Sequence, residues 1–248
     1  AADNTAVGTL ALTANSSGTN NTAVGYAAGD AVTTGDDNTF VGDNAGGATT
    51  TASDNTALGS GALLVNTTGA SNTALGTEAL AANTTANSNV AIGHDALTVN
   101  TTGASNVAIG VASLQANTTA ANNTAVGTSA LAANTTGERN TAVGSAAGDA
   151  ITTGVRNTAV GYSALSTVTT ADYNTALGAF ALSDNTAANN VALGYYALAV
   201  NSTGTNNTAA GMDSLKANTT GSSNTAFGNS ALGLNTTADN NTAVGLSA

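Results

Sequence analysis

Short apolar bursts alternate with polar stretches along the whole chain, and the alternation has a fixed period. Asn, then Thr or Val, a small residue, usually an aliphatic one and then Gly begins at Asn4. The pattern recurs at Asn21, Asn38, Asn55, Asn72, Asn89, Asn106, Asn123, Asn140, Asn157 and Asn174, each step being 17 residues. The series slips by one to Asn190 and resumes at Asn207, Asn224 and Asn241, giving 15 starts. The missing residue falls in the polar turn after Asn185, where a length change is tolerated as it is not in a strand. The unit reads N-T-A-V-G-x-x-A-L-x-A-N-T-T-G-x-x, with positions numbered 1 to 17.

The two apolar stretches of the unit are too short and too rich in Gly and Thr for helices. Short strands bounded by Gly, Asn and Thr turns are predicted instead. One unit cannot bury a face alone, so successive units must stack. The expected fold is all-β, a parallel β-solenoid (β-roll) of about 15 coils, forming a single repetitive domain over 1–248. At roughly 4.8 Å per coil the stack would be about 70 Å long.

Alternation along a strand assigns faces. Positions 2 and 4 (Thr5 with Val7, Val90 with Ile92) and positions 9 and 11 (Leu63 with Val65, Leu198 with Val200) are expected inside. Position 3 is Ala in every copy but Phe40, and position 8 is Ala in all but Ser113 and Ser214. These small-residue columns are then expected to face outward and pack against other copies of the chain, Ala74, Ala91 and Ala108 being the candidate assembly residues. The first-position asparagines (Asn4, Asn21, Asn38, Asn55, Asn72 onward) suit ladders of like side chains along the axis. The fifth-position glycines (Gly8, Gly25, Gly42, Gly59, Gly76 onward) suit a turn that needs positive φ. Where Leu at position 9 becomes Gly29 or Gly148, position 12 becomes Val32 or Ile151 instead of Asn, as though lost core volume were returned nearby. Gly46 with Thr49 follows more weakly.

Composition narrows the function classes. Charged residues are 7% of the chain, and Pro, Cys and Trp are absent. An ordinary domain is about a quarter charged. The 14 carboxylates are scattered, and Arg139, Arg156 and Lys216 are the only basic residues, which argues against a nucleic-acid partner. No apolar stretch approaches the ~20 residues of a membrane span, so membrane insertion is not expected. Absence of Cys suits a long-lived extracellular object.

Candidate chemistry is sparse. His94 stands beside Asp95 with no second His and no Cys, which makes neither a triad nor a metal site; no catalytic residue, cofactor or metal is expected. Asp30, Asp149, Asp36 and Asp37 read as turn residues, because the dense GGxGxD series of calcium-binding solenoids is missing. Asn66, Asn83, Asn100, Asn117, Asn134, Asn218 and Asn235 begin Asn-x-Ser/Thr sequons, yet turns demand the same residues. Tyr26, Tyr162, Tyr195 and Tyr196 follow the Gly turn, placed to pack along an edge or to stack on sugars.

The copies Asn89-Val90-Ala91-Ile92-Gly93 and Asn106-Val107-Ala108-Ile109-Gly110 resemble the S-V-A-I-G repeat in the head domain of YadA-type trimeric autotransporter adhesins. The full unit is similar to NTAVG arrays of long bacterial surface proteins and phage tail fibres. The resemblance covers essentially the whole chain and implies a left-handed parallel β-roll, often with three chains side by side, in an adhesive or fibre-shaft role. This unit is longer than the adhesin head unit, and neither stalk nor anchor is present in the sequence. The pattern stops mid-unit at Ala248, and unpaired strand edges invite head-to-tail addition. The expected function is thus an extracellular, cell-surface or virion fibre that self-assembles as filament or trimer. Its partners would be itself and a host-surface glycan or protein. A tail-fibre shaft and an ice-binding solenoid are the alternatives, the second disfavoured by the inward Thr expected in the T-A-V strand.

Overall fold

A computed structural model describes residues 3–248, and within them the chain forms two compact units, the first ending at Asn123 and the second running Thr124–Ala248. Every coil contributes one three-residue strand at positions 2 to 4, with turns and bends elsewhere and no helix among the described residues. In the first unit β1 (Thr5–Val7) to β7 (Val107–Ile109) lie side by side in chain order, parallel and in register, so that Thr73 pairs with Val90 and Ala74 with Ala91. In the second, β8 (Thr124–Val126) to β15 (Thr242–Val244) do the same. Both units are therefore parallel β-solenoids, as the 17-residue period predicts.

The turns stack as regularly as the strands. Leu63 N–H donates to Ala79 O and Val65 N–H to Ala81 O, 2.9 and 3.1 Å, so backbone groups outside the strand also find partners one coil away. This satisfies the rule that buried peptide groups must be paired. Each unit is built almost wholly from contacts between coil and next coil.

The sequence-based assignment of faces is reversed in the strand. Position 3 points inward: Ala74, Ala91 and Ala108 have no exposed surface, and Phe40 is equally buried. Position 4 points outward, Leu58, Leu75 and Ile109 being 44%, 40% and 36% exposed. The eighth-position alanines are buried as well, among them Ala62, Ala79 and Ala96. Leu63 and Leu198 at position 9 are inside as expected, whereas Val65 and Val200 at position 11 are largely exposed. The physical reason is cross-section. A 17-residue coil has room for a methyl group from each wall and one Leu between them. Uniform Ala does mark a close approach, but the approaching surface is the opposite wall of the same coil.

Phe40 demonstrates how little room there is. A Cβ placed on Gly46 would lie 2.5 Å from its ring, and one on Gly29 would lie 2.6 Å away. The ring thus fills the ninth-position space of two successive coils. At Gly148 the space goes to Ile151, whose Cδ1 would be 3.0 Å from such a Cβ, and both Val32 and Ile151 are fully buried. The volume compensation expected from the sequence holds at Gly148 with Ile151; at Gly29 and Gly46 the Phe40 ring fills the space, and Val168 takes position 12 beside a retained Leu165.

The ninth position also has a backbone constraint. All eleven leucines there have φ between 48° and 55°. Left-handed backbone costs an L-residue about 1–2 kcal/mol, and β-branched side chains suffer most. Burying a Leu returns about 1.5–3 kcal/mol, which offsets that cost. The column accordingly holds Leu or Gly and never Val or Ile, although strand position 4 uses all three aliphatic types.

Candidate interaction surfaces

Two columns of asparagine close the coils from inside, the second interrupted at Val32, Thr49, Ile151 and Val168. In the first, the side-chain Oδ1 accepts from the backbone N–H of the next Asn: Asn4 from Asn21 at 2.8 Å, and Asn21, Asn38 and Asn55 from Asn38, Asn55 and Asn72 at 3.0 Å each. Its Nδ2 donates to the carbonyl at position 15 of its own coil. The twelfth-position Asn reaches the same carbonyl, so Asn89 and Asn100 both donate to Gly103 O at 2.9 Å. Asn66, Asn83, Asn100, Asn117, Asn134 and Asn218 are fully buried. These sequon residues are therefore turn struts, out of reach of a glycosylating enzyme in the folded chain.

At position 5, the backbone of Gly8, Gly25, Gly42, Gly59 and Gly76 has φ from 130° to 139°. A Cβ on Gly59 or Gly76 would stand 2.5 or 2.6 Å from the carbonyl oxygen of the next Gly. Close stacking as well as positive φ excludes side chains here.

The one-residue deletion leaves strand register intact, β11 (Thr175–Leu177) pairing Thr175 with Val191 of β12 (Val191–Leu193). It has a local cost. Asn185 Nδ2 now donates to Ala187 O, two residues on, and Asn174 Nδ2 is left buried with no partner.

Polar turn residues bridge successive coils, carboxylates accepting from amides of the previous coil and threonine hydroxyls donating to carbonyls of the next. Asp36 Oδ1 accepts from Thr19 N at 2.7 Å, Asp172 Oδ1 from Val155 N at 2.7 Å, and Thr67 Oγ1 donates to Thr84 O at 3.0 Å. Asp149 is different. Its Oδ1 is buried without a hydrogen bond, and desolvation raises its pKa above the usual carboxylate value despite opposing backbone N–H groups of Asp149 and Ala150. His94 is exposed with Nδ1 3.3 Å from Asp95 Oδ2. Among the described residues no three His, Cys, Asp or Glu side chains come together to hold a metal.

What remains on the outside is two surfaces. One is the outer face of each sheet, a column of Val, Leu and Ile at position 4, broken by Ala210 and Phe227 in the second unit, beside a column at position 2 that is Thr except at Val90, Val107 and Val191. The other lies in the second unit, at positions 6 and 7. Tyr162 meets Phe180 edge-on at 5.3 Å, Phe180 stacks on Tyr196 at 4.9 Å and 8°, and Tyr195 meets Tyr196 edge-on at 4.5 Å. Lys216 Nζ lies 2.8 Å from Asp213 Oδ1 and 5.0 Å from the Tyr196 ring. The hydrogen bond to Asp213 raises the Lys216 pKa, and partial desolvation followed by Tyr196 raises that of Tyr195. The tyrosine spacing hinted at this patch, but Phe180 and the paired Asp213 and Lys216 carry no sequence signal. No protein-family model matches the chain, and no curated protein does.

Proposed function

We propose that the chain is a structural segment of an extracellular fibre, associating laterally with copies of itself through the outer face of its sheets. The supporting observation is the exposed aliphatic column at position 4. In the first unit it runs Val7, Val24, Val41, Leu58, Leu75, Ile92 and Ile109, a stripe about 30 Å long at strand spacing. Soluble monomers rarely leave continuous apolar patches beyond a few hundred Å². A fibre that packs chains side by side covers such a stripe, and the flatness of an in-register sheet lets one column lie along another. This surface takes the place of the buried Ala74, Ala91 and Ala108. The resemblance to adhesin heads and fibre shafts agrees with this reading.

The test is light-scattering mass and sedimentation equilibrium of the purified chain. Leu58→Lys, Leu75→Lys and Ile92→Lys together should reduce an oligomer to monomer without changing the circular dichroism spectrum. A wild-type chain that is monomeric at about 100 μM, or an oligomer unmoved by the three lysines, refutes the proposal.

Ice binding is a second reading, and the same geometry favours it. Thr22, Thr56 and Thr73 stand on the outer face of an in-register sheet rather than inside it. A flat array of hydroxyl and methyl groups at regular spacing is suited to ordering water. Thermal hysteresis in a dilute solution supports this reading, and ordinary freezing with no hysteresis removes it.

A further inference from the structure

The structure assigns to the second unit a carbohydrate-binding platform for neutral oligosaccharides, made by Tyr162, Phe180, Tyr195 and Tyr196 with Asp213 and Lys216. It is separate from the outer sheet face and does not depend on the fibre proposal.

Distribution is the first argument. The chain has eight Tyr and Phe residues, and half of them fall in this one patch on three successive coils. Elsewhere positions 6 and 7 carry mainly Thr, Ser, Ala and Asp, with scattered apolar residues at Leu10, Val111, Met212 and Leu246 and one further tyrosine, Tyr26. Residue choice at a constrained position is the second. Position 7 is left-handed in every coil, and apart from Leu10 the other coils hold small, polar or charged residues there. Phe180 and Tyr196, at φ 57° and 53°, are the only aromatic residues at that position, whose backbone costs a bulky residue energy, and neither is buried.

The ligand class follows from what the patch offers. Tyr162 and Tyr195 are 56% and 49% exposed, presenting ring faces and hydroxyls together. Pyranose rings have apolar C–H faces for the first and hydroxyls for the second. Asp213 and Lys216 pair with each other, leaving no net charge to attract an anionic glycan, while the half-exposed Lys216 ammonium keeps further donors for sugar hydroxyls. Size argues against a protein partner. Aromatic side chains bury about 150–250 Å² each, and these four already cover part of one another. They fall short of the roughly 800 Å² per side that a stable protein interface needs.

The platform is also held in place before any ligand arrives. Phe180 N–H donates to Tyr162 O at 3.0 Å, Tyr196 N–H to Ala179 O at 3.2 Å and Asp213 N–H to Tyr195 O at 3.0 Å. Ring-to-ring contacts fix the side chains. Little order is lost on binding, although so small a site implies a dissociation constant on the order of millimolar, improved when many copies act together.

The net charge of −11 drives the chain to the anode, so native electrophoresis in gels cast with laminarin, glycol chitin, yeast mannan or casein tests the idea directly. At least one of the three polysaccharides should retard the wild type relative to a plain gel. Tyr162→Ala with Tyr195→Ala should weaken that retardation about tenfold or more, and Tyr26→Ala should leave it unchanged. All three side chains are exposed, and circular dichroism checks that each variant keeps its fold. Self-association alters mobility in the plain gel and cancels in the ratio. No retardation by any polysaccharide, equal retardation of the double variant, or retardation by casein alone overturns the assignment.

Discussion

Phe40 offers a sharp test of whether a coil interior holds one large side chain and no more. Phe40→Ala empties a fully buried site and should cost about 3–5 kcal/mol. Gly46→Leu, made alone, drives a side chain into the Phe40 ring, since even its Cβ would lie 2.5 Å from ring carbons. Overpacking of that kind costs about 1–3 kcal/mol. Made together, the two changes give the third coil the Ala and Leu of its neighbours, as at Ala57 with Leu63 and Ala74 with Leu80. The left-handed backbone at position 46 already suits Leu, as eleven other coils attest. The double variant should therefore lie within about 2 kcal/mol of the wild type, the remaining deficit coming from space beside Gly29. The coupling energy should be at least ~2 kcal/mol in favour of the pair. Urea unfolding followed by circular dichroism gives the cycle. Hydrogen exchange at the Val41 and Leu58 amides gives a local reading, which is needed because stacked repeats unfold by neighbouring segments. A double variant as unstable as the sum of the two single ones would refute the single-plug account.

Asn72→Ala removes the acceptor of the Asn89 N–H and the donor to Ala86 O. Ala86 O keeps Asn83 Nδ2 as a donor, so the buried Asn89 N–H is the group left unpaired, at about 1–3 kcal/mol; a loss of roughly 2 kcal/mol in urea unfolding is expected, against under 1 kcal/mol for Thr77→Ala on the surface. Gly76→Ala would set a methyl 2.6 Å from Gly93 O at a φ of 135°; coils 5 and 6 should separate, visible as faster hydrogen exchange at the Thr73 and Gly93 amides, which bond Asn89 O and Leu75 O across that junction. Burial raises the Asp149 pKa, so its folded form favours the proton. Its stabilising contribution is complete below the unfolded carboxylate value and is lost as pH rises through the folded one. Asp149→Asn should therefore stabilise the chain at pH 7 and have little effect near pH 3, and a pH-independent difference between the two proteins would contradict this.

Period, class and the direction of stacking were legible in the chain because register makes equivalent residues share an environment, so each column of the coil repeats one solution to one local problem. The asparagine and glycine columns show this clearly: Asn72 and Gly76 answer constraints set by the adjacent coil, which the sequence displays as identity every 17 residues. The exchange of Leu for Gly148 with Ile151 was legible for the same reason. Which face of the strand points inward was not, since alternation distinguishes two faces without saying which one is enclosed. Only the closed cross-section of the coil decides that, by admitting the methyl groups of Ala74 and Ala91 and excluding Leu75 and Ile92. The aromatic patch was legible only in part: the tyrosines share a place after the Gly turn, but Tyr162, Phe180 and Tyr196 are brought together by stacking of successive coils, and distance across coils is fixed by backbone hydrogen bonds that no single segment contains.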